Sequence, residues 1–352
     1  MKVWIDVLTP KQANFFAPLV TRLSGRGTSV LVTTRKYREV NQLLKMRGIA
    51  ALTIGRHGGG ALKDKLIASA ERIRHLTSLL SSKRCDKALS FSSPEAARVA
   101  YGLSIPHYCV SDSPHAEAAS RLTIPLSEKL LTPKAIPVKA WTRYGIDETR
   151  IVRYDALDPV AWLKHFRPNP MVLNKLGLEE TRHIVVVRPE ETLASYLLGH
   201  SPERPLSVSV VQALNREFPH GQVVLIPRYD LAASTKKLVG RSAIVPSSAI
   251  DATSLLSYSH LFLGGGGTMT AEAALLGVPS VSFYPAPPTY VESYLVRQQL
   301  VARMQSVKAI VKYASRVLGN PTYSEVSRSR ARRILHRMED PITVIERTLR
   351  QA

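Results

Sequence analysis

Two stretches of the chain carry residues whose types and spacing suit chemistry. The first, LFLGGGGTMTAEAALLGVPSVSF at 261–283, sets four glycines between an apolar run and a helix-forming run. Glycine loses more backbone freedom on folding than any other residue, so four in succession are costly unless the backbone itself has a task. At a strand-to-helix turn the bare N–H groups of Gly266, Gly267 and Thr268, with Gly265 beside them, can face a guest, and the positive end of the helix favours an anion. A diphosphate suits such a turn. Glu272, one helical turn further on, can accept hydrogen bonds from ribose hydroxyls. The spacing is not a P-loop, because no Lys-Ser/Thr follows, nor is it GxGxxG. The plainer alternative is a tight turn that lets strand and helix pack closely.

The second stretch, VSDSPHAEAASR at 110–121, places Asp112, His115 and Glu117 at the end of the apolar run IPHYCV. Each can donate or accept a proton. The same residues also suit a helix start, with Asp112 or Ser113 as cap and Glu117 favouring the dipole. Cations stand at comparable points: Arg188 ends VVVR, Arg228 ends LIPR, and Lys11 lies in the opening loop TPKQANFF with Thr9 and Gln12. A guanidinium pairs bidentately with phosphate and stays charged, although ion pairs with Glu190 or Asp230 are an alternative role for the arginines. The serines of SFSSPE read as a helix N-cap followed by proline in the first turn. GxSxG and HExxH are both absent, and no metal is expected.

The elements that must position these residues alternate along the chain. VWIDVL, SVLVTT, AALTI, KALSFS, IPHYCVSD and KLLTP read as strands, separated by amphipathic stretches such as FFAPLVTRLSGRG, Tyr37 to Met46, 94–102 and a polar helix from about 114. ALDPVAWLKHFRPNP, with three prolines, reads as a linker or hinge. The alternation restarts with HIVVVRPE, QVVLIPRY, SAIVPS, HLFLG and VPSVSFYP, with helices expected over 205–217, 230–239, 251–258 and 268–276. Short apolar strands without polar alternation are those of parallel sheets covered by helices on both faces. The expected fold is α/β with two parallel-sheet domains.

A length of 352 residues suits two cores rather than one. The net charge of +21 points to an anionic partner: nucleic acid, an acidic membrane face or a phosphorylated substrate. SRSRARRILHR at 327–337 and the cations between Lys63 and Arg84 concentrate it. No apolar run approaches the ~20 residues of a membrane span, and MKVWIDVLTP is a poor signal peptide. The expectation is a cytoplasmic protein, at most peripheral to the inner membrane face. Cys85 and Cys109 are expected to be ordinary buried thiols.

GGGTMTAEAALLGVPSV resembles the nucleotide-binding segment of GT-B enzymes and is similar to the corresponding segment of UDP-N-acetylglucosamine 2-epimerases. Over nearly its full length the chain resembles a mainly archaeal family, domain of unknown function 354. The markers are VWIDVLTPKQANFFAPLV, SPEAARVAYGLSIP, DSPHAEAASRLTIPL, LLTPKAIP, VVVRPE and LIPRY, besides the glycine run. The resemblance implies two Rossmann-like domains facing a central cleft, at 1–156 and 157–336, with the nucleotide-sugar held mainly by the second and the final helix, 337–352, crossing back to the first. It places Gly266, Gly267 and Thr268 at the diphosphate and Glu272 at the ribose, while Ala271 and Gly266 depart from the epimerase pattern. The expected activity is glycosyl transfer from a nucleotide-diphosphate sugar to a phosphorylated or lipid-linked acceptor, with Asp112 or His115 as base and no cofactor. Alternatives are a 2-epimerase using Asp112 with Glu117, and a non-catalytic nucleic-acid-binding protein.

Overall fold

The computed structural model describes residues 1–190, 205–227 and 239–351. Internal contacts divide the chain into two units, Met1–Trp162 together with Glu339–Ala352, and Leu163–Met338.

The first unit is built on a seven-stranded parallel sheet in the order β3-β2-β1-β4-β5-β6-β7. Its strands are β1 (Lys2–Val7), β2 (Ser29–Lys36), β3 (Leu52–Arg56), β4 (Lys87–Phe91), β5 (His107–Val110), β6 (Lys129–Pro133) and β7 (Ile151–Tyr154). Helices α1 (Pro10–Gly25), α2 (Arg38–Met46), α3 (Leu62–Lys83), α4 (Pro94–Gly102), α5 (Glu117–Thr123), α6 (Lys139–Thr142) and α7 (Val160–Leu163) connect or follow the strands. Order reverses between β1 and β4, so the loops after these strands flank the switch point where open α/β sheets bind ligands.

Local chemistry explains the helix starts around that point. Thr9 caps α1 by accepting from the Gln12 N–H, with Pro10 in the first turn. Gln12 turns inward, accepting from Leu8 N–H at 2.6 Å and donating to Phe91 O at 3.1 Å, so it ties the ends of β1 and β4 together. Ser93 caps α4, as the SSPE pattern implies, and also donates to Asp6 at 2.8 Å. Asp6 in turn receives both Arg72 guanidinium nitrogens, at 2.6 and 3.0 Å, and the Thr33 hydroxyl at 2.6 Å. The Arg72 charge and these hydrogen bonds outweigh the upward push of burial and hold the Asp6 pKa below the usual carboxylate value.

The second unit has a five-stranded parallel sheet, β12-β11-β10-β8-β9. Its strands are β8 (Ile184–Arg188), β9 (Gln222–Leu225), β10 (Leu261–Gly264), β11 (Ser280–Ser282) and β12 (Val301–Arg303). Its helices are α8 (Met171–Leu176), α9 (Leu206–Glu217), α10 (Ala252–Tyr258), α11 (Thr268–Leu275), α12 (Tyr290–Arg297), α13 (Val307–Leu318) and α14 (Pro321–Arg337). Alternate strand residues feed two cores: Val185, Val187, Leu261 and Leu263 on one face, Ile184, Val186, Val224 and Phe262 on the other. That double burial is why these strands read as unbroken apolar runs. SAIVPS forms only an isolated bridge, Val224 to Ile244, rather than a strand. The helix expected over 230–239 falls almost wholly outside the described residues.

The closing helix α15 (Pro341–Gln351) is counted with the first unit. It buries Ile342, Ile345 and Leu349 and is pinned to α1 by Arg22–Asp340 at 2.8 Å and Arg26–Glu346 at 2.6 Å. Cys85 and Cys109 are buried and unbridged.

Candidate functional sites in the two units

In the first unit, residues at four strand ends converge. Lys11 lies in the first turn of α1, which follows β1, and its ammonium lies 2.6 Å from Asp112 Oδ2, which follows β5. The same nitrogen lies 2.6 Å from Asp158 Oδ2, in the loop after β7. Phe91, at the end of β4, places its ring 4.2 Å below the ammonium. Ser113 donates to Asp112 Oδ1 at 2.7 Å, and the buried Tyr154 hydroxyl donates to Asp158 Oδ1 at 2.6 Å. Asp158 is 1% exposed, Asp112 17% and Lys11 15%, so the cluster opens through Asp112 and Lys11.

Two carboxylates around one ammonium have unequal proton affinities. Burial raises the Asp112 pKa, but the Lys11 charge and hydrogen bonding outweigh it and bring Asp112 down to about 2. For Asp158, burial and the neighbouring Asp112 charge win over Lys11 and push it up to about 7. Burial also opposes the Lys11 charge, yet the two carboxylates together hold its pKa above the ordinary lysine value. The pair therefore titrates as a unit, carrying one proton below neutrality and none well above it.

His115 is half-buried within electrostatic reach of the cluster. Burial lowers its pKa, Asp112 opposes that, and Lys11 adds to it. Asp112 and Ser113 cap nothing: α5 starts at Glu117 after a turn closed by Ala116 N–H to Ser113 O at 3.0 Å. Glu117, expected beside Asp112, stands apart; its carboxylate is 60% exposed and pairs with Arg121 one helical turn on, at 2.7 Å. An early place in a helix turned it to solvent. Asp158 and Tyr154 escaped the sequence reading because β7 is only four residues long and is followed at once by a proline-rich stretch that looks like a linker.

In the second unit the glycine run lies at the sheet's switch point, between β10 and α11, beside the end of β8. Three of the four glycines have packing reasons. A Cβ on Gly264 would meet the Phe262 ring at 2.6 Å, one on Gly265 the Glu190 Cα at 2.5 Å, and one on Gly266 the Tyr284 ring at 2.7 Å. Gly265, expected to offer its amide to a ligand, already donates it to Arg188 O at 3.0 Å. Gly266 and Gly267 adopt φ of 90° and 93°, a region L side chains rarely enter. Gly267 alone is exposed; it is the N-cap of α11 and has no side chain to satisfy the first N–H groups of that helix. The open backbone is thus Gly267–Thr268, narrower than the four-residue run suggested.

Glu272 is buried and accepts from the Thr253 hydroxyl at 2.5 Å, which fixes its carboxylate against α10. Arg188 follows the expected strand end, but its guanidinium donates to the carbonyls of Ile226 and Pro227, tying β8 to the loop after β9. Glu190 accepts from Ser207 N–H and Oγ, at 3.1 and 2.6 Å, at the start of α9, and forms no salt bridge with Arg188. Arg228 lies outside the described residues.

The model of the family described as Protein of unknown function (DUF354) matches residues 1–351. The uncharacterized protein MJ0665 of Methanocaldococcus jannaschii is 33% identical over 324 residues, 91% of this chain and 92% of that protein. Among solved structures, UDP-GlcNAc 2-epimerase from Neisseria meningitidis bound to UDP-GlcNAc aligns with a TM-score of 0.75 at 17% identity, covering 100% of both chains. The Methanocaldococcus jannaschii UDP-GlcNAc 2-epimerase in complex with UDP-GlcNAc and UDP gives 0.73 at 16%, again over 100% of both. The spinosyn rhamnosyltransferase SpnG complexed with spinosyn aglycone gives 0.62 at 14%, covering 99% of this chain and 100% of that one. The fold is therefore the α/β, GT-B type shared by these epimerases and glycosyltransferases. By the match over its whole length and by its 33% identical relative, the chain belongs to the DUF354 family.

Proposed function

We propose that the protein is an enzyme acting on a nucleotide-diphosphate sugar, with the second unit binding the nucleotide and the first moving a proton. The observation that carries this reading is the Lys11–Asp112–Asp158 cluster, a carboxylate pair whose shared proton leaves near pH 7. A general base works best when its proton affinity lies near the working pH. Asp112 is the member reachable by a substrate; Asp158 and Lys11 set its charge from behind. Gly267–Thr268 at the N-terminus of α11 offers N–H donors to a diphosphate, whereas Glu272, buried and held by Thr253, would have to give up that contact to meet a ribose. The first reading of the reaction is glycosyl transfer, in which Asp112 takes the proton of an acceptor hydroxyl. A phosphorylated or lipid-linked acceptor accords with the net charge of +21.

The second reading, epimerisation of a UDP-sugar, is supported by the fold the chain shares over its full length with UDP-GlcNAc 2-epimerases, with Asp112 as the one reachable acid/base group of the cluster. Incubation with UDP-N-acetylglucosamine in D2O, without acceptor, separates the two. Epimerisation puts deuterium on a sugar carbon and yields the epimer, whereas a transferase leaves the sugar unlabelled until an acceptor hydroxyl is added. Absence of turnover in both arms, across a panel of nucleotide sugars that bind, contradicts the assignment as an enzyme of this class.

A further inference from the structure

A second feature of the second unit lies on helices that contribute nothing to the glycine turn. Helices α13 and α14 meet through Tyr313 and Tyr323, whose rings stand edge to face with centroids 5.9 Å apart, and Arg316 lies over both rings at 5.2 and 5.4 Å. Beside them, bounded also by Pro279, Leu300 and the edge strand β12, is an open groove of about 550 Å³. Arg316 and Arg330 line it, carboxylates do not, and the exposed side chains of Val296 and Val326 stand at its rim.

The surrounding surface is strongly positive. α13 carries Lys308, Lys312 and Arg316 at four-residue spacing, all exposed, and has no carboxylate. α14 carries five arginines against the single Glu325. Of these, Arg328, Arg332, Arg333 and Arg337 are exposed. Among the described residues none of these cations forms a salt bridge. A face this unbalanced repels itself and gains by meeting a fixed array of negative charge.

We propose that the α13–α14 face is a docking surface for an anionic phospholipid bilayer. The cations meet lipid phosphates, their aliphatic stems lie along the apolar rim, and Val296 and Val326 sink to the level of the acyl boundary. The groove between Arg316 and Arg330 receives a headgroup phosphate. Single-stranded nucleic acid is the rival occupant, but it binds by stacking bases on open aromatic faces, and here Arg316 already covers both tyrosines. A lipid-docked protein suits the lipid-linked acceptor proposed above, yet the docking is read without any sugar substrate, so either proposal can fail alone.

The test is partition of the full-length protein onto phosphatidylcholine vesicles with and without roughly 30% phosphatidylglycerol, each near-surface cation adding on the order of a fivefold factor. The expected result is binding to the anionic vesicles only, weakened at least tenfold by the exposed-site variant Lys308→Ala/Lys312→Ala/Arg332→Ala/Arg333→Ala and further by Val326→Asp, with unchanged melting temperatures. Lys63→Ala/Lys83→Ala, which removes charge from α3, leaves binding near wild type. Equal binding to both vesicle types, no binding to either, or a quadruple variant that partitions like wild type overturns the proposal. Tight binding to a single-stranded RNA oligomer with no vesicle binding assigns the face to nucleic acid instead.

Discussion

Lys11 Nζ and Asp158 Oδ2 lie 2.6 Å apart at a point where Asp158 is 1% exposed, and a second carboxylate, Asp112, lies 2.6 Å from the same nitrogen. One cation thus serves two carboxylates, one buried and one partly exposed, which is a poor arrangement for stability alone: burying charge costs several kcal/mol per ion, and one ammonium does not repay both once the shared proton is lost. Its place beyond the strand ends of the sheet accords with the chemical role proposed for it.

Replacing Lys11 by methionine leaves both carboxylates without their cation. Removing one partner of a buried pair costs about 3–5 kcal/mol, and here protonation of the carboxylates relieves part of it. Lys11→Met is therefore expected to melt lower than wild type by a margin that widens from pH 5 to pH 8. Differential scanning calorimetry at the two pH values measures this; an equal loss at both speaks against the shared cation.

The raised Asp158 pKa has a defined sign for stability. The folded value is about 7 and the ordinary aspartate value 3.8, so the folded state binds more protons between the two, and stability falls as pH rises through that window. Asp158→Asn removes this penalty while keeping an acceptor for Tyr154. Its melting temperature should gain on wild type as pH rises from 5 to 8.5, and its kcat should fall without the rise through pH 7 expected of wild type. A variant tracking wild type in both measurements contradicts the assignment.

His107 works in the opposite sense. It is buried between Ser90 and Ser127, 2.9 Å from each hydroxyl, and burial lowers its pKa to about 4, with Asp6 opposing the shift. Here the unfolded chain binds the extra proton, so its stabilising contribution is whole above pH 6.5 and is lost as pH falls toward 4, about 3 kcal/mol in all. Acid unfolding of wild type should begin below pH 6.5, and His107→Gln should flatten the profile between pH 6 and pH 4.

The glycines at the turn have separable roles. Gly266→Ala meets the Tyr284 ring at 2.7 Å and occupies φ of 90°, so it should lower stability by about 2 kcal/mol or more. Gly267→Ala, at an exposed position with φ of 93°, carries a backbone cost of about 1–3 kcal/mol. Gly267→Asp pays the same and adds negative charge where the diphosphate is proposed to sit. Chemical denaturation and nucleotide binding, compared across the three, distinguish packing from ligand contact.

The fold was legible because both sheets are parallel and covered on two faces, which leaves apolar runs such as VWIDV and IVVVR that no other arrangement explains. Two strands were not: β7, IVRY, and β12, VAR, each carry an arginine that breaks the apolar run. The loss mattered, because β7 carries Tyr154 and presents Asp158. Lys11 and Asp112 were visible as charged residues after strand-like runs. That they meet on one ammonium, while Glu117 turns away to Arg121, depends on a strand order, β1 beside β4 and β5 beside β6, that local sequence does not encode. The glycine run was over-read for a related reason: Glu190 and Tyr284, which require Gly265 and Gly266 to be small, come from elsewhere in the chain.

The most direct measurement of the proposed function is calorimetric titration of UDP-N-acetylglucosamine and a panel of other nucleotide-diphosphate sugars into wild type, Gly267→Ala, Gly267→Asp and Asp112→Asn. The expected result is saturable binding by wild type and Asp112→Asn, weaker binding by Gly267→Ala, and loss in Gly267→Asp, with turnover absent in Asp112→Asn alone among the binders. Binding retained in folded Gly267→Asp at wild-type affinity, or no binding of any nucleotide sugar to wild type, contradicts it.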